Sequence, residues 1–358
     1  MNVASTEAAD TSGRSTKRLV NLFKLSRRPK PIVGVTPADV IHSENKWRLL
    51  RYRNPRPTVK TPVLLVPSLI NRHYVLDLTP GKSLVEFLLA QGHDVLCIDW
   101  GTPGPEDRFV TWDDVAGRWL GRAIRKAAAL TPRNQVHVLG YCMGGTLAVA
   151  HAAAQGPGPS PIASIVALAA PVRFTGSGLL GAWTRVPGFD VQAVTQALGN
   201  VPWQLLQTSF LLLRPTLNLA KAVNLIDRAW NDRFLDSFLA METWANDNVA
   251  LPGAFYRSWI TDVYQADGLW NSTLSVLARP CQLQAIRCPV LAIAFAQDGI
   301  APGPDCAALI ERISSKDKAL HMMAGSHVGG VTSREAASGL WPLLSGFWRQ
   351  RDEAAAES

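Results

Sequence analysis

Short apolar runs alternate with amphipathic segments along most of the chain from residue 62 onward. Strands that are buried on both faces of a sheet have near-continuous apolar sequences, and helices connect them when the sheet is parallel. The pattern therefore predicts an α/β fold, with a mostly parallel sheet flanked by helices. Six runs predict strands, the last being the weakest: residues 63–66, 95–98, 136–139, 165–168, 290–293 and 319–323.

Two segments between these runs have helical periodicity. One begins at Ser83 and ends before Gly92, and the other repeats apolar residues over 115–129. Serine favours a helix start and glycine a helix end, so both segments are predicted to be crossover helices.

The alternation stops between residues 173 and 287, which is too long for a structureless loop inside a compact domain. We predict a mainly helical cap inserted between two core strands. Most of its indoles are expected to fill the core of the cap, and a minority to line an apolar passage. The segment holds six of the twelve tryptophans of the chain: Trp183, Trp203, Trp230, Trp244, Trp259 and Trp270.

The positive charge is concentrated at one end of the chain. Of a net charge of +8 over 358 residues, residues 1–60 carry +9, from thirteen Lys and Arg against four acidic residues. The rest is nearly neutral, so nucleic-acid binding is not expected of it. We predict a basic, partly disordered leader (1–60) with a short helix around residues 19–25. The leader serves either solubility or contact with an anionic surface or substrate phosphates.

The predicted organisation continues with a first part of the core (61–172), the cap (173–287), a second part of the core (288–350) and a tail (351–358). The five cysteines form no tight pairs, which argues against a zinc site and for a reducing compartment. No run reaches the roughly 18 apolar residues of a membrane span, so a cytoplasmic protein is expected. The sequence shows neither metal-ligand spacing nor a nucleotide fingerprint, so no metal or cofactor is predicted.

One glycine-rich turn carries a chemical signature. The strand at 136–139 leads into Gly140-Tyr141-Cys142-Met143-Gly144-Gly145, and a helix-forming stretch follows. This is the nucleophile-elbow pattern G-x-S-x-G with cysteine in the position of serine. A helix N-terminus stabilises a thiolate, so Cys142 is the candidate nucleophile.

A thiol nucleophile needs a base and an acid that orients the base, and in folds with this elbow they follow in the order acid, histidine. Asp298 follows the strand at 290–293, and His327 lies in a glycine-rich loop after the last strand. Asp305 is an alternative acid, disfavoured because it lies inside the next predicted helix. Three other histidines are assigned to packing or to the surface: His137, His151 and His321.

An oxyanion formed on an acyl carbonyl needs two hydrogen-bond donors. The backbone N–H of Met143, directly after the nucleophile, is one candidate. The loop after the first core strand is the expected source of the second, and Ile70 is our choice within it.

Several blocks resemble polyhydroxyalkanoate synthases and occur in the same order. They lie at residues 66–72, 92–101, 140–145, 244–253 and 325–329, and the similarity spans about residues 60–348. The resemblance implies an α/β-hydrolase fold that polymerises (R)-3-hydroxyacyl-coenzyme A (CoA) thioesters into polyester with release of CoA. Cys142 would hold the acyl chain as a thioester, His327 would activate the thiol and the incoming hydroxyl, and Asp298 would support His327.

The resemblance also implies a homodimer at the surface of polymer granules. The long N-terminal domain of many members is not recognised, which favours the form that needs a second synthase subunit. The elbow instead resembles the single-subunit forms, so both remain open. Two alternative functions are a cysteine-dependent hydrolase, either a thioesterase or a polyester depolymerase, and a granule- or nucleic-acid-associated protein acting through its basic leader.

Overall fold

Residues 3–175, 178–213 and 217–357 are described by a computed structural model. Eight of its strands form one sheet in the order β1-β2-β6-β3-β7-β8-β11-β12, and the other four form two short ribbons. The strands are β1 (Ala38–Glu44), β2 (Trp47–Tyr52), β3 (Val63–Val66), β4 (Asp77–Thr79), β5 (Lys82–Ser83), β6 (Val95–Asp99), β7 (Val136–Tyr141), β8 (Ile162–Leu168), β9 (Ser275–Val276), β10 (Arg279–Pro280), β11 (Val290–Phe295) and β12 (Lys318–Met323).

Helices cover both faces of the sheet and form the cap. They are α1 (Val3–Lys24), α2 (Leu84–Ala90), α3 (Leu120–Ala128), α4 (Met143–Gln155), α5 (Gly178–Thr184), α6 (Val191–Leu198), α7 (Trp203–Leu212), α8 (Leu217–Arg228), α9 (Asp232–Ala245), α10 (Gly253–Ser258), α11 (Gly303–Arg312), α12 (Gly329–Thr332) and α13 (Trp341–Glu357). Three π-helical segments adjoin α3, α10 and α13, at Asp113–Trp119, Trp259–Gln265 and Ala336–Leu340.

All six predicted strands are present. They lie side by side in the order β6-β3-β7-β8-β11-β12, and each neighbouring pair is parallel. The predicted helix after Ser83 is α2, whose first turn is capped because Ser83 Oγ accepts a hydrogen bond from the N–H of Glu86 at 2.9 Å. The predicted helix at 115–129 is the π-helical segment that continues as α3. The predicted α/β fold, with a mostly parallel sheet flanked by helices, is confirmed.

The predicted boundary at residue 60 differs from the structure, because β1 and β2 lie inside the predicted leader and yet belong to the sheet. The strand β2 pairs antiparallel with β6. Trp47, Leu49 and Tyr52 are buried, whereas Arg48 and Arg51 form ion pairs with carboxylates at the ends of β6. Arg48 and Arg51, two of the basic residues that made this segment resemble a leader, are therefore ion-paired positions of a strand near the edge of the sheet.

The helix α1 is longer than the predicted helix at 19–25, and it is followed by a segment that contacts the cap. Lys17 forms an ion pair with Asp232 at 2.8 Å, and Arg28 pairs with Asp232 and with Asp236. Part of the basic charge is therefore held against carboxylates of α9.

The segment between β8 and β11 is mainly helical, as expected, and contains α5 to α10. Its last part differs from the predicted cap, because after β9 the chain returns to the core. The thiol of Cys281 contacts the carbonyl oxygen of Ala150, and the N–H of Gln282 donates to the carbonyl of Ala153, both on α4.

We expect Trp47→Ala to lower the free energy of unfolding by about 3–5 kcal/mol, because it empties a large buried site in β2. Trp47 has no exposed surface, whereas Phe23 on α1 is 81% exposed. Phe23→Ala is the matched control, with an expected change of about 0.5 kcal/mol or less. Urea unfolding followed by far-UV circular dichroism measures both. Equal small effects would contradict the inclusion of β2 in the core.

Candidate active site

The thiol of Cys142 lies at the sharp turn between β7 and α4. Its backbone has φ 57° and ψ −130°, a region that non-glycine residues rarely adopt. The N–H of Cys142 donates to the carbonyl of Leu168 on β8, and its own carbonyl accepts from the N–H of Gly145, both at 2.9 Å. These bonds hold the nucleophile-elbow geometry predicted from the sequence.

The glycines of the elbow are required by close backbone approach. A Cβ on Gly144 would collide with the carbonyl oxygen of Val66 at the end of β3, and one on Gly145 would collide with the side chain of Ala170. A Cβ on Gly140 would meet the backbone of Gly145. The absence of these side chains lets α4 begin directly against the sheet, with its N-terminus below the thiol.

The structure brings His327 and Asp298 together beside the elbow. Nδ1 of His327 donates to Oδ2 of Asp298 at 2.6 Å, and both residues are buried. The other carboxylate oxygen accepts from the N–H groups of Ile300 and Ala301, each at 2.9 Å. The carboxylate is thereby fixed in orientation, and the imidazole of His327 interacts electrostatically with the side chain of Cys142. The structure thus brings the three predicted residues together in one group.

Tyr141, which sequence reasoning did not identify, supports the histidine from behind. Its ring stacks on the imidazole of His327 with centroids 5.3 Å apart, and its hydroxyl donates to the backbone carbonyl of His327 at 3.0 Å. The signal in the sequence that could have identified Tyr141 was its position directly before Cys142. Successive side chains of a strand point to opposite faces, so neighbouring residues reach different sides of the sheet.

The pKa of His327 reflects opposing effects. Burial lowers it, but the charge of Cys142, the hydrogen bonds from Asp298 and Cys142, and the charge of Asp298 together raise the pKa to about 10. The imidazole is therefore held as a cation beside the sulfur at neutral pH. Because the folded-state pKa lies above the ordinary value of 6.5, this charge adds stability that is complete below about pH 6.5 and is lost as the pH rises towards 10.

The two predicted oxyanion donors border the thiol. Met143 is the first residue of α4, where N–H groups have no partner within the helix. The N–H of Ile70 donates weakly to Oγ of Ser68, at 3.3 Å, within the loop after β3. Ile70 would therefore exchange this internal bond for one to an oxyanion, and its assignment remains a prediction.

Two cavities meet at Cys142 and share Ile70, Phe210 and Ile300 as lining residues. The aromatic cavity, of about 130 Å³, lies mostly under the cap. The wide cavity, of about 380 Å³, also reaches His327. Three of the six cap tryptophans line these cavities, which agrees with the expectation of an apolar passage: Trp183 and Trp259 in the aromatic cavity and Trp244 in the wide cavity.

The disfavoured candidates lie elsewhere. Asp305 is inside α11, and its Oδ1 lies 4.0 Å from Nε of Arg173. His137 contacts Ser164 within the sheet, and His151 contacts the carbonyl of Ala116. Within the described ranges, no group of three or more His, Cys, Asp or Glu could hold a metal ion, and no helix is long and apolar enough to cross a membrane.

Comparisons with known proteins agree with the fold and the elbow described above. A family model described as "alpha/beta hydrolase fold" matches residues 61–327, and one described as "Poly-beta-hydroxybutyrate polymerase (PhaC) N-terminus" matches residues 23–88. A soluble variant of monoglyceride lipase from Saccharomyces cerevisiae superposes with a TM-score of 0.59 at 13% identity, over 90% of this chain and 98% of the lipase. The chain is therefore an α/β-hydrolase-fold protein with a cysteine at the nucleophile position.

Curated relatives narrow this class. The poly(3-hydroxyalkanoate) polymerase subunit PhaC of Haloferax mediterranei is 32% identical over 354 residues, covering 98% of this chain and 70% of the relative. The subunit of the same name from Allochromatium vinosum is 32% identical over 323 residues, covering 89% and 90%. The chain belongs to the poly(3-hydroxyalkanoate) polymerase PhaC family, as the resemblance predicted.

We expect Asp298→Asn to lower the pKa of His327, because the substitution removes a charge and weakens the hydrogen bond that raise it. The titration of the His327 ring, followed by ¹H–¹⁵N NMR, would move from about 10 towards its ordinary value. Asp305→Asn is the matched control, since Asp305 does not contact the imidazole. A shift caused by the Asp305 variant alone would assign the supporting acid to Asp305.

Proposed function

We propose that this chain polymerises (R)-3-hydroxyacyl-CoA thioesters into a polyester and releases CoA, through a covalent thioester on Cys142. The observation that carries the proposal is the grouping of Cys142 with the hydrogen-bonded pair His327–Asp298 at the elbow of a PhaC-family protein. Cysteine at this position favours acyl transfer, because exchange of one thioester for another is nearly thermoneutral. The subsequent formation of an oxoester is downhill and drives elongation.

In the first step, the sulfur of Cys142 attacks the thioester carbonyl of the substrate. The C–S bond to CoA breaks, and the proton held by His327 passes to the departing CoA thiolate. The backbone N–H groups of Met143 and Ile70 are the proposed donors to the oxyanion. The products are an acyl-Cys142 thioester and free CoA.

In the second step, the hydroxyl of another hydroxyacyl unit attacks the acyl-Cys142 carbonyl. Nε2 of His327 takes the hydroxyl proton, a C–O bond forms, and the bond to the sulfur of Cys142 breaks. Asp298 stabilises the imidazolium that results, as the acid of a triad does. The chain gains one ester, and Cys142 is free again.

The two cavities support this sequence of steps. The aromatic cavity gives the acyl group a mostly apolar site, and an apolar site opposes hydrolysis of the thioester. The wide cavity has room for a second group beside His327. The arginine and the lysine among its described lining residues are paired, Arg72 with Asp247 and Lys221 with Glu242.

A location at the surface of polymer granules is part of the proposal. Leu219, Val223 and Ile226 follow one side of α8 at helical spacing and are 68%, 52% and 51% exposed. An apolar stripe of this kind supports contact with an apolar partner. The homodimer and a second synthase subunit are the alternative occupants, which sedimentation of the purified chain would distinguish.

We expect the purified chain to release CoA from 3-hydroxybutyryl-CoA and to form insoluble polyester, and Cys142→Ala to abolish both while the fold is retained. Thiol release and collection of the insoluble product are the measurements. Cys288→Ala, which removes a thiol outside both cavities, is the matched control and should retain activity.

Free 3-hydroxybutyrate formed in step with CoA, without polymer, would identify a hydrolase instead. Polymer formation by the Cys142 variant would exclude the assigned nucleophile. Inactivity of the wild-type chain that is relieved by a second synthase subunit would assign the need for that partner.

We expect Asp298→Asn to impair elongation more than acylation, and His327→Gln to block both. A thiolate attacks partly without the help of the acid, whereas deprotonation of a hydroxyl depends on the base that Asp298 supports. Single-turnover CoA release measures acylation, and steady-state polymer yield measures elongation. Equal losses in the Asp298 variant would contradict this division.

A further inference from the structure

One wall of the aromatic cavity is a π-helical segment that the proposed mechanism does not use. In Trp259–Gln265 the helix is widened by one residue per turn, seen where the N–H of Ala266 donates to the carbonyl of Thr261 at 2.9 Å. Such segments are rare and occur frequently at functional sites. This one carries Tyr264, which lines the aromatic cavity together with Cys142.

The ring of Tyr264 is held in place from two sides. It packs against Phe174 with centroids 4.6 Å apart and edge-on against Trp259 at 5.8 Å. Its backbone carbonyl accepts a hydrogen bond from Arg185. The position of the Tyr264 ring on the cavity wall is therefore fixed by packing before any ligand binds, which is the condition for a selective contact.

That hydroxyl has no hydrogen-bond partner among the described residues. The pKa of Tyr264 is raised by burial and then by the nearby charges of Cys142 and others, with no hydrogen bond contributing. The phenol consequently remains protonated and can donate. A ligand oxygen that replaces solvent at this donor would gain a hydrogen bond in a mostly apolar cavity.

We propose that the Tyr264 hydroxyl donates a hydrogen bond to the 3-oxygen of the acyl group carried by Cys142. This inference rests on the proposed function and makes Tyr264 a specificity-determining residue for acyl groups with an oxygen at carbon 3. A cavity of about 130 Å³ is close in size to a site for a six-carbon ring, so the acyl group it takes is short. Without Tyr264, an apolar pocket would discriminate weakly between acyl groups with and without that oxygen.

The test compares two substrates that differ only in the 3-hydroxyl, 3-hydroxybutyryl-CoA and butyryl-CoA. Single-turnover CoA release, with the protein in excess, measures the acylation rate for each. Tyr264→Phe keeps the ring and removes the hydroxyl, and it should slow acylation by 3-hydroxybutyryl-CoA about tenfold and by butyryl-CoA less than twofold. The ratio of the two rates is taken on one preparation, so it does not depend on the folded fraction.

Tyr52→Phe is the matched control, because it removes the same group from a buried tyrosine of β2 and should leave the ratio unchanged. Equal slowing of both substrates by Tyr264→Phe would overturn the inference and assign the ring a packing role. A changed ratio in Tyr256→Phe, without one in Tyr264→Phe, would overturn it in favour of the other tyrosine of the cavity. Failure of the wild-type chain to release CoA, both alone and with a second synthase subunit, would instead overturn the proposed function.

Discussion

The strained backbone of Cys142 is the constraint on which the site depends. A residue in this region of φ and ψ costs on the order of 1–3 kcal/mol, so the surrounding structure must hold it there. It is held by the hydrogen bond to Leu168 on β8 and by the approach of Gly144 to the end of β3. The central strands therefore do more than form a core, because their spacing fixes the direction of the sulfur. The loops that carry Asp298 and His327 end strands of the same sheet and meet the sulfur at that edge.

The parts of the fold that the sequence predicted are those in which local pattern and tertiary environment agree. The central strands are buried on both faces, so their sequences are continuous apolar runs. The glycines of the elbow could be predicted because the neighbouring backbone comes too close to leave room for a side chain. The strand β2 lacks this agreement. It lies near an edge, and Arg48 and Arg51 interrupt its buried apolar residues without regular alternation. The arginines are neutralised by Asp99 and Asp94 of the neighbouring region, and no local pattern records such long-range pairing.

The site also divides into features that could be predicted from the sequence and features that depend on how single loops and side chains pack. The order of Cys142, Asp298 and His327 along the chain follows from topology, so it could be predicted from the strands alone. The direction of the N–H of Ile70 depends on how one loop folds, and there Ser68 takes the bond that was assigned to an oxyanion. The position of the Tyr264 ring is set by a π-helical segment and by packing against Phe174 and Trp259. For this reason, the hydrophobic periodicity of the sequence could not predict the orientation of side chains in the cap.

The electrostatics of His327 connect the two steps of the proposed reaction. Before acylation, the interaction with Cys142 helps to hold the pKa of the imidazole at about 10, and the cation can give its proton to departing CoA. Acylation converts the sulfur into a neutral thioester and removes that contribution. Burial, which lowers the pKa of His327, is unchanged, so the imidazole of the acyl-enzyme becomes a better match for a base near neutral pH. Asp298 retains its hydrogen bond throughout and keeps the ring oriented. One histidine can thus act as acid in the first step and as base in the second, because the reaction itself changes its environment.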